Sequence, residues 1–292
     1  MAERVIVAID GGPASSAAVD WMLERARTVN LTVELTTVIE LGWVPAGGPQ
    51  DDFHLVYERA LAEAARRVDE AAPSLKKTSV MRRGAPVEEL IRASAKADLL
   101  VIGTKKTGFM AGAVYGTLPL RLAAHARCPL VVVPANWTHL DGPVVVGVED
   151  DDTSDVALDF AAREAVRLGR GLVIVHAWSI PATLGFDDGL MIPFDDLRQA
   201  HDEILARAAG RIREANPGLD VTVTLEQGPA AQTLVDASRT AELLIVGTHG
   251  RGAVAGLILG SVSHDVLLNM PCPIAVVPRA VTGAASAMQP KQ

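Results

Sequence analysis

Along the first 134 residues, short β-branched runs alternate with longer stretches whose apolar residues recur every three or four positions. The runs are "RVIVAI" (4–9), "LTVELTTVI" (31–39), "TSVMRR" (78–83), "DLLVIG" (98–103) and "PLVVVP" (129–134), each of strand length. Between them lie four helical patterns: "PASSAAVDWMLERARTV" (13–29), with Pro near its start, residues 50–72, "APVEELIRASAKA" (85–97) and "TLPLRLAAHA" (117–126). In residues 50–72 the spacing predicts an inward stripe of Leu55, Leu61, Ala65, Val68 and Ala72. Strands alternating with helices predict a parallel sheet covered on both faces.

The same pattern occurs twice. "VIVAIDGGPASSAAVDW" (5–21) aligns without gaps on "VVVGVEDDDTSDVALDF" (144–160), at an offset of 139. "LLVIGTKKTGFMAGAVYGT" (99–117) aligns on "LLIVGTHGRGAVAGLILGS" (243–261), and "CPLVVVP" (128–134) on "CPIAVVP" (272–278), both at an offset of 144. The difference is an insertion within "IPATLGFDDGLMIPFDDL" (180–197). Three matched blocks in one order indicate duplication. The expected fold is α/β: two tandem doubly wound domains, each a five-stranded parallel sheet of order 3-2-1-4-5 with helices on both faces. The expected bounds are 1–134 and 143–280, with a linker at 135–142 and a disordered tail at 281–292.

Composition narrows the class. The chain has 292 residues and a net charge of −8, without a basic block, which disfavours nucleic acid as a partner. No apolar run is long enough to span a bilayer, and "MAERVIVAID" enters a strand at once rather than forming a signal peptide. Cytoplasmic localisation without a membrane partner is expected. Cys128 and Cys272 stand at equivalent places before a proline, outside any C-x-x-C spacing, and read as buried, inert thiols.

Candidate chemistry concentrates where strands one and four part, the place at which an open sheet of this order holds ligands. The first copy brings Asp10 and Gly103 there, and the second Glu149 and Gly247. In "GTHGRGAVAGLILGS" (247–261) the glycines allow anionic oxygen to approach main-chain N–H groups, and Gly260-Ser261 opens the next helix. Ser261 is expected to cap that helix, and Gly116-Thr117 holds the matching place in the first copy. The spacing is neither a Walker P-loop nor a dinucleotide G-x-G-x-x-G. The acidic run "EDDDTSD" (149–155) reads, beyond Glu149, as a solvated loop and helix start rather than a metal site. His176 reads as a core or crevice histidine, while His249 and Arg251 in the glycine loop are open to a phosphate contact.

By these residues the chain resembles the universal stress protein family in its tandem form, and within it the ATP-binding branch marked by G-x2-G-x9-G-[S/T]. The resemblance covers roughly residues 3–134 and 143–278. It implies an adenine-nucleotide binder, ATP foremost and Mg²⁺ with it, acting in the stress response without dedicated catalysis. It assigns Asp10, Val38, Gly103, Gly108, Gly116 and Thr117 in the first copy, with Lys106 standing where the motif has glycine. In the second copy it assigns Glu149, Ala177, Gly247, Gly250, Gly252, Gly260 and Ser261, with glutamate at 149 in place of aspartate. Two unequal sites are expected, the second tighter because its phosphate motif is intact. The resemblance also implies pairing through the terminal strands, within the chain and in a homodimer. Alternative readings are an interaction module with vestigial crevices, a cyclic-nucleotide binder or, less favoured, an adenylyl-transfer enzyme. The downstream protein partner is unassigned.

Overall fold

A computed structural model of the chain describes residues 2–40, 50–105, 117–179, 194–248 and 259–279. The first half runs β1 Glu3–Ala8, α1 Pro13–Arg25, β2 Leu31–Ile39, α2 Gln50–Ala71, β3 Lys77–Arg83, α3 Pro86–Ser94, β4 Leu99–Thr104, α4 Thr117–His125 and β5 Leu130–Pro134. The second runs β6 Val144–Gly147, α5 Asp152–Leu168, β7 Leu172–Trp178, α6 Phe194–Ala215, β8 Val221–Gln227, α7 Ala230–Ala237, β9 Leu243–Gly247, α8 Ser261–Leu268 and β10 Ile274–Val277.

One ten-stranded sheet contains both halves, in the order β3-β2-β1-β4-β5-β10-β9-β6-β7-β8. Every pairing within a half is parallel, and the antiparallel contact of β5 with β10, Val131 opposite Ala275, joins the halves. These two strands therefore have both edges occupied inside one chain. The expected pairing of the terminal strands within the chain is thus observed, and in this sheet neither strand has a free edge.

Two apolar layers cover the sheet. One packs Ala17, Ala18 and Met22 of α1, with Ala157, Leu158 and Ala161 of α5, against Val7, Val131, Val146 and Ala275. The other packs Leu90 of α3 and Leu122 of α4, with Leu234 of α7 and Val266 of α8, against Ile102, Val132, Val246 and Ile274. Each layer draws on both halves, so the two halves share their cores.

The inward stripe of α2 is only partly as expected. Leu61 and Val68 are buried and Ala65 packs against the core, but Leu55 is 43% exposed. Leu55 lies in the amino-terminal part of the 22-residue α2, ahead of the buried stretch from Leu61 to Val68. Trp21 and Trp178 are both core residues, and Cys128 and Cys272 are buried free thiols. The expected linker is tied down. His139 lies 3.4 Å from the Glu242 carboxylate, and Asp141 pairs with Arg170. The expected tail at 281–292 lies outside the described residues.

Candidate functional site

In the first half β1 and β4 pair only as far as Val7 opposite Val101, and β4 runs on through Gly103 to Thr104. The chain leaves β1 into α1 on one face of the sheet, while the α4 that follows β4 lies on the other. This divergence opens a crevice at the carboxyl ends of the strands. Asp10 stands on its rim, exposed, and its Oδ1 accepts the Gly12 N–H at 2.8 Å. With Gly11 at φ +80°, this bond closes a turn that delivers the chain to Pro13, the first residue of α1. The bond serves the turn, one step short of a helix cap, since no side chain caps α1.

Gly103 has a packing reason to be glycine. A Cβ built there would lie 1.9 Å from the Ala14 carbonyl oxygen and 2.1 Å from its carbon. The first turn of α1 thus rests directly on β4, which holds the Asp10 turn beside the end of that strand. Val38 sits in β2 with its side chain against the α3–α4 layer. Thr117 begins α4 and is exposed. Lys106, Gly108 and Gly116 lie outside the described residues.

The second half is described further round its crevice. Glu149 follows β6. Its main-chain N–H donates to Ser154 Oγ at 2.8 Å, and its carboxylate Oε1 accepts from the Asp150 N–H at 3.3 Å. Asp151 Oδ1 accepts the Ser154 N–H at 2.8 Å, which makes Asp151 the helix-start residue of α5. Asp150 pairs with Arg207 at 3.4 Å, while Asp155 and Asp159 share Arg211. The acidic run therefore starts α5 and ties it to α6, with a groove of about 310 Å³ between the two helices beside Glu149. Ala177 lies on the neighbouring strand, β7, opposite Glu226.

The two ends of the glycine segment are clamped together. The Gly260 N–H donates to the Thr248 carbonyl at 2.8 Å, and Ser263 Oγ donates to the Gly247 carbonyl at 2.5 Å. The start of α8 is thereby held at the carboxyl end of β9. Ser261 is not the cap it was expected to be. Gly260 occupies that position, no side chain caps α8, and Ser261 is its exposed first residue. The first bond of the helix runs from the His264 N–H to the Gly260 carbonyl, so the N–H groups of residues 261–263 precede the ladder. Such donors suit an anion. Gly250 and Gly252, with His249 and Arg251, lie outside the described residues.

Sequence reasoning missed Ser263, whose hydroxyl secures the clamp, and also His201. His176, fully buried, makes a 2.8 Å hydrogen bond through Nδ1 to the Val148 carbonyl and another through Nε2 to His201 Nδ1. Trp178 stacks on His201 with centroids 5.1 Å apart. Because Val148 offers only an acceptor, His176 Nδ1 carries a proton and donates to it. The pair braces the crevice wall between β6 and α6. A histidine in an exposed-looking helix, separated by an insertion from its partner, carries no sequence signal for this.

The thiols at the entry to the junction strands are inert by environment. Burial pushes both Cys128 and Cys272 up to about 12.

The model of the universal stress protein family matches residues 1–134 and 142–278 of this chain. A universal stress protein of Mycobacterium tuberculosis is 29% identical over 299 residues, covering 93% of this chain and 94% of its own length. Another from the same organism is 29% identical over 288 residues, covering 93% and 96%. A solved universal stress protein of Archaeoglobus fulgidus shares the fold with a TM-score of 0.66, at 21% identity over 95% of this chain and 98% of that one.

Proposed function

The chain belongs to the universal stress protein family, and from that premise we propose that it is an adenine-nucleotide-binding regulator of the stress response, with ATP its foremost ligand and no dedicated catalysis. The observation that carries this reading is the clamp of Gly247 and Thr248 against Gly260 and Ser263, which sets the start of α8 at the carboxyl end of β9. The donors of that helix start fit a phosphate. In the second half, Gly247, Gly250, Gly252, Gly260 and Ser261 would hold the phosphates, and Glu149 and Ala177 the adenosine. In the first half the same duties would fall to Asp10, Val38, Gly103, Lys106, Gly108, Gly116 and Thr117. Bound ATP would bring its own Mg²⁺. The chain's part is to bind and orient: main-chain N–H groups neutralise phosphate charge, and the strand-end carboxylate selects the adenosine. The functional units proposed are residues 1–134 and 143–280, in a cytoplasmic protein. Among the described residues, no helix is long and apolar enough to cross a membrane.

The test is release of ligand. The chain is purified without added nucleotide, denatured, and the supernatant chromatographed against adenine-nucleotide standards. About one or more ATP per chain supports the reading, and Gly250→Glu should remove the share held by the second half. No released nucleotide, together with no calorimetric binding of ATP, AMP or cyclic AMP, overturns it. Cyclic AMP binding in preference to ATP would change the ligand.

A further inference from the structure

At the opposite end of the sheet from the strand-end crevices, the first half has a groove of about 410 Å³. Its floor is the amino-terminal part of β1, β2 and β3, and its wall is the end of α3. Six cations line it: Arg4, Lys76, Lys77, Arg82, Arg92 and Lys96, against a single lining carboxylate, Glu34. In a chain of net charge −8, such a concentration is unusual for a surface that only needs to be soluble.

The duplication supplies an internal control. Register in the sheet sets Val33 opposite Lys77 in the first half and Leu172 opposite Val221 in the second, so the two grooves can be compared position by position. Where the first half has Lys76, Arg82 and Arg92, the second has Asp220, Glu226 and Asp236. Arg4 corresponds to Pro143, Lys77 to Val221, and Lys96 to Thr240. The same fold is thus built without these cations, and with carboxylates at three of their positions. The fold does not demand the basic groove.

Four of the six cations have a carboxylate within the chain: Arg4 with Asp98, Lys77 with Asp69, Arg82 with Glu34 and Arg92 with Glu89. Apart from Lys77, Arg82 and Glu89, at 19%, 24% and 15%, these groups are more than a quarter exposed, and such pairs are weak and exchangeable. Lys76 and Lys96 are exposed and have no carboxylate partner among the described residues. Arg82 Nε is buried without any hydrogen-bond acceptor, so its guanidinium is one partner short in its present setting.

We propose that this groove is a binding site for a small, multiply charged phosphate anion, separate from the nucleotide crevices. Arginine forks and lysine ammonium groups are the side chains that recognise phosphate. The volume is that of a small-molecule cleft. The overall negative charge of the chain repels an extended polyanion, whereas a compact one is held by the local field of the groove.

Inorganic tripolyphosphate is the probe, titrated calorimetrically into the full chain at low ionic strength. The diagnostic variant gives the groove the second half's own residues, Lys76→Asp, Arg92→Asp and Lys96→Thr, all at exposed positions. Binding should weaken at least about tenfold in that variant, and on raising the salt, with the melting temperature and ATP binding unchanged. Loss of tripolyphosphate binding in Gly250→Glu but not in the groove variant would place the anion in the glycine loop and overturn the proposal. Absence of binding by the wild-type chain would also overturn it, as would an RNA oligomer that binds more tightly through the same cations.

Discussion

Replacing Gly103 by alanine tests the packing argument directly. The added methyl would stand 1.9 Å from the Ala14 carbonyl oxygen, 2.1 Å from its carbon and 2.8 Å from the Ser15 nitrogen. These are main-chain atoms of the first turn of α1, so no side chain can swing aside. Restoring an ordinary contact requires the helix start to retreat by about 1.5 Å. Ala14, Ala17 and Ala18, at 3%, 6% and 0% exposure, would be drawn away from the sheet with it. Overpacking of this kind costs about 1–3 kcal/mol, and a backbone obstacle places Gly103→Ala near the top of that range. For a chain of this size about 3 kcal/mol corresponds to a fall in Tm of roughly 6–12 °C. Thermal unfolding followed by far-ultraviolet circular dichroism and by tryptophan fluorescence would measure it, because Trp21 lies on α1 itself. A Tm within about 1 °C of wild type would refute the reasoning. The consequence for function is that a bulky residue at 103 is a poor probe of ligand binding, since it displaces the helix before it meets any phosphate.

Further outcomes follow from other sites. Gly210 lies inside α6, and a methyl group added there would have nothing within 4 Å, so Gly210→Ala should stabilise the chain by about 0.5–1 kcal/mol, read as a higher urea midpoint. Cys128 and Cys272, pushed up to about 12 by burial, should react with a thiol reagent only at the rate of unfolding, and a fast native burst would contradict that. Arg25→Met leaves Glu164 buried without its main cation and should cost about 3–5 kcal/mol by chemical denaturation. Burial alone would raise Glu164, but the Arg25 charge and hydrogen bonds, with Arg167, outweigh it and hold the carboxyl below its ordinary 4.5. Its contribution is therefore complete above that value and lost as pH falls through the lower folded one, so Glu164→Gln should flatten the acid limb of a stability profile taken from about pH 6 to about pH 3.

Much of the fold was legible because its signals are local. "LTVELTTVI" matches β2 from Leu31 to Ile39, since eight β-branched or apolar residues out of nine, with only Glu34 among them charged, leave little else to form. The repeat located the crevices by analogy between halves. What escaped depends on contacts distant in sequence. The exposure of Leu55 depends on what α2 meets along its length, which local spacing does not carry. The Ser263 clamp depends on a helix returning to a strand 16 residues earlier. His201 acquires its role only because α6 folds back over β7. Gly103 was legible as important, but its glycine was assigned to phosphate approach, whereas the helix packed on β4 already requires it.

The junction between the halves shows what tandem duplication allows. Arg25 and Glu164 occupy equivalent places, 139 residues apart, on α1 and α5. They nonetheless meet, each with a side chain 1% exposed. Two equivalent positions touch only where a pseudo-twofold axis passes between them. Were the halves identical, this position would face itself, and two buried arginines or two buried glutamates would repel in a poorly hydrated setting. In one chain the two copies can diverge, and here they carry opposite charges, with Glu3 accepting from the Arg25 guanidinium at 2.8 and 3.0 Å on its other side. The pair therefore favours first half against second over either half against itself. The same divergence separates the basic groove of the first half from the acidic positions of the second, so the two copies of one fold are free to hold different ligands.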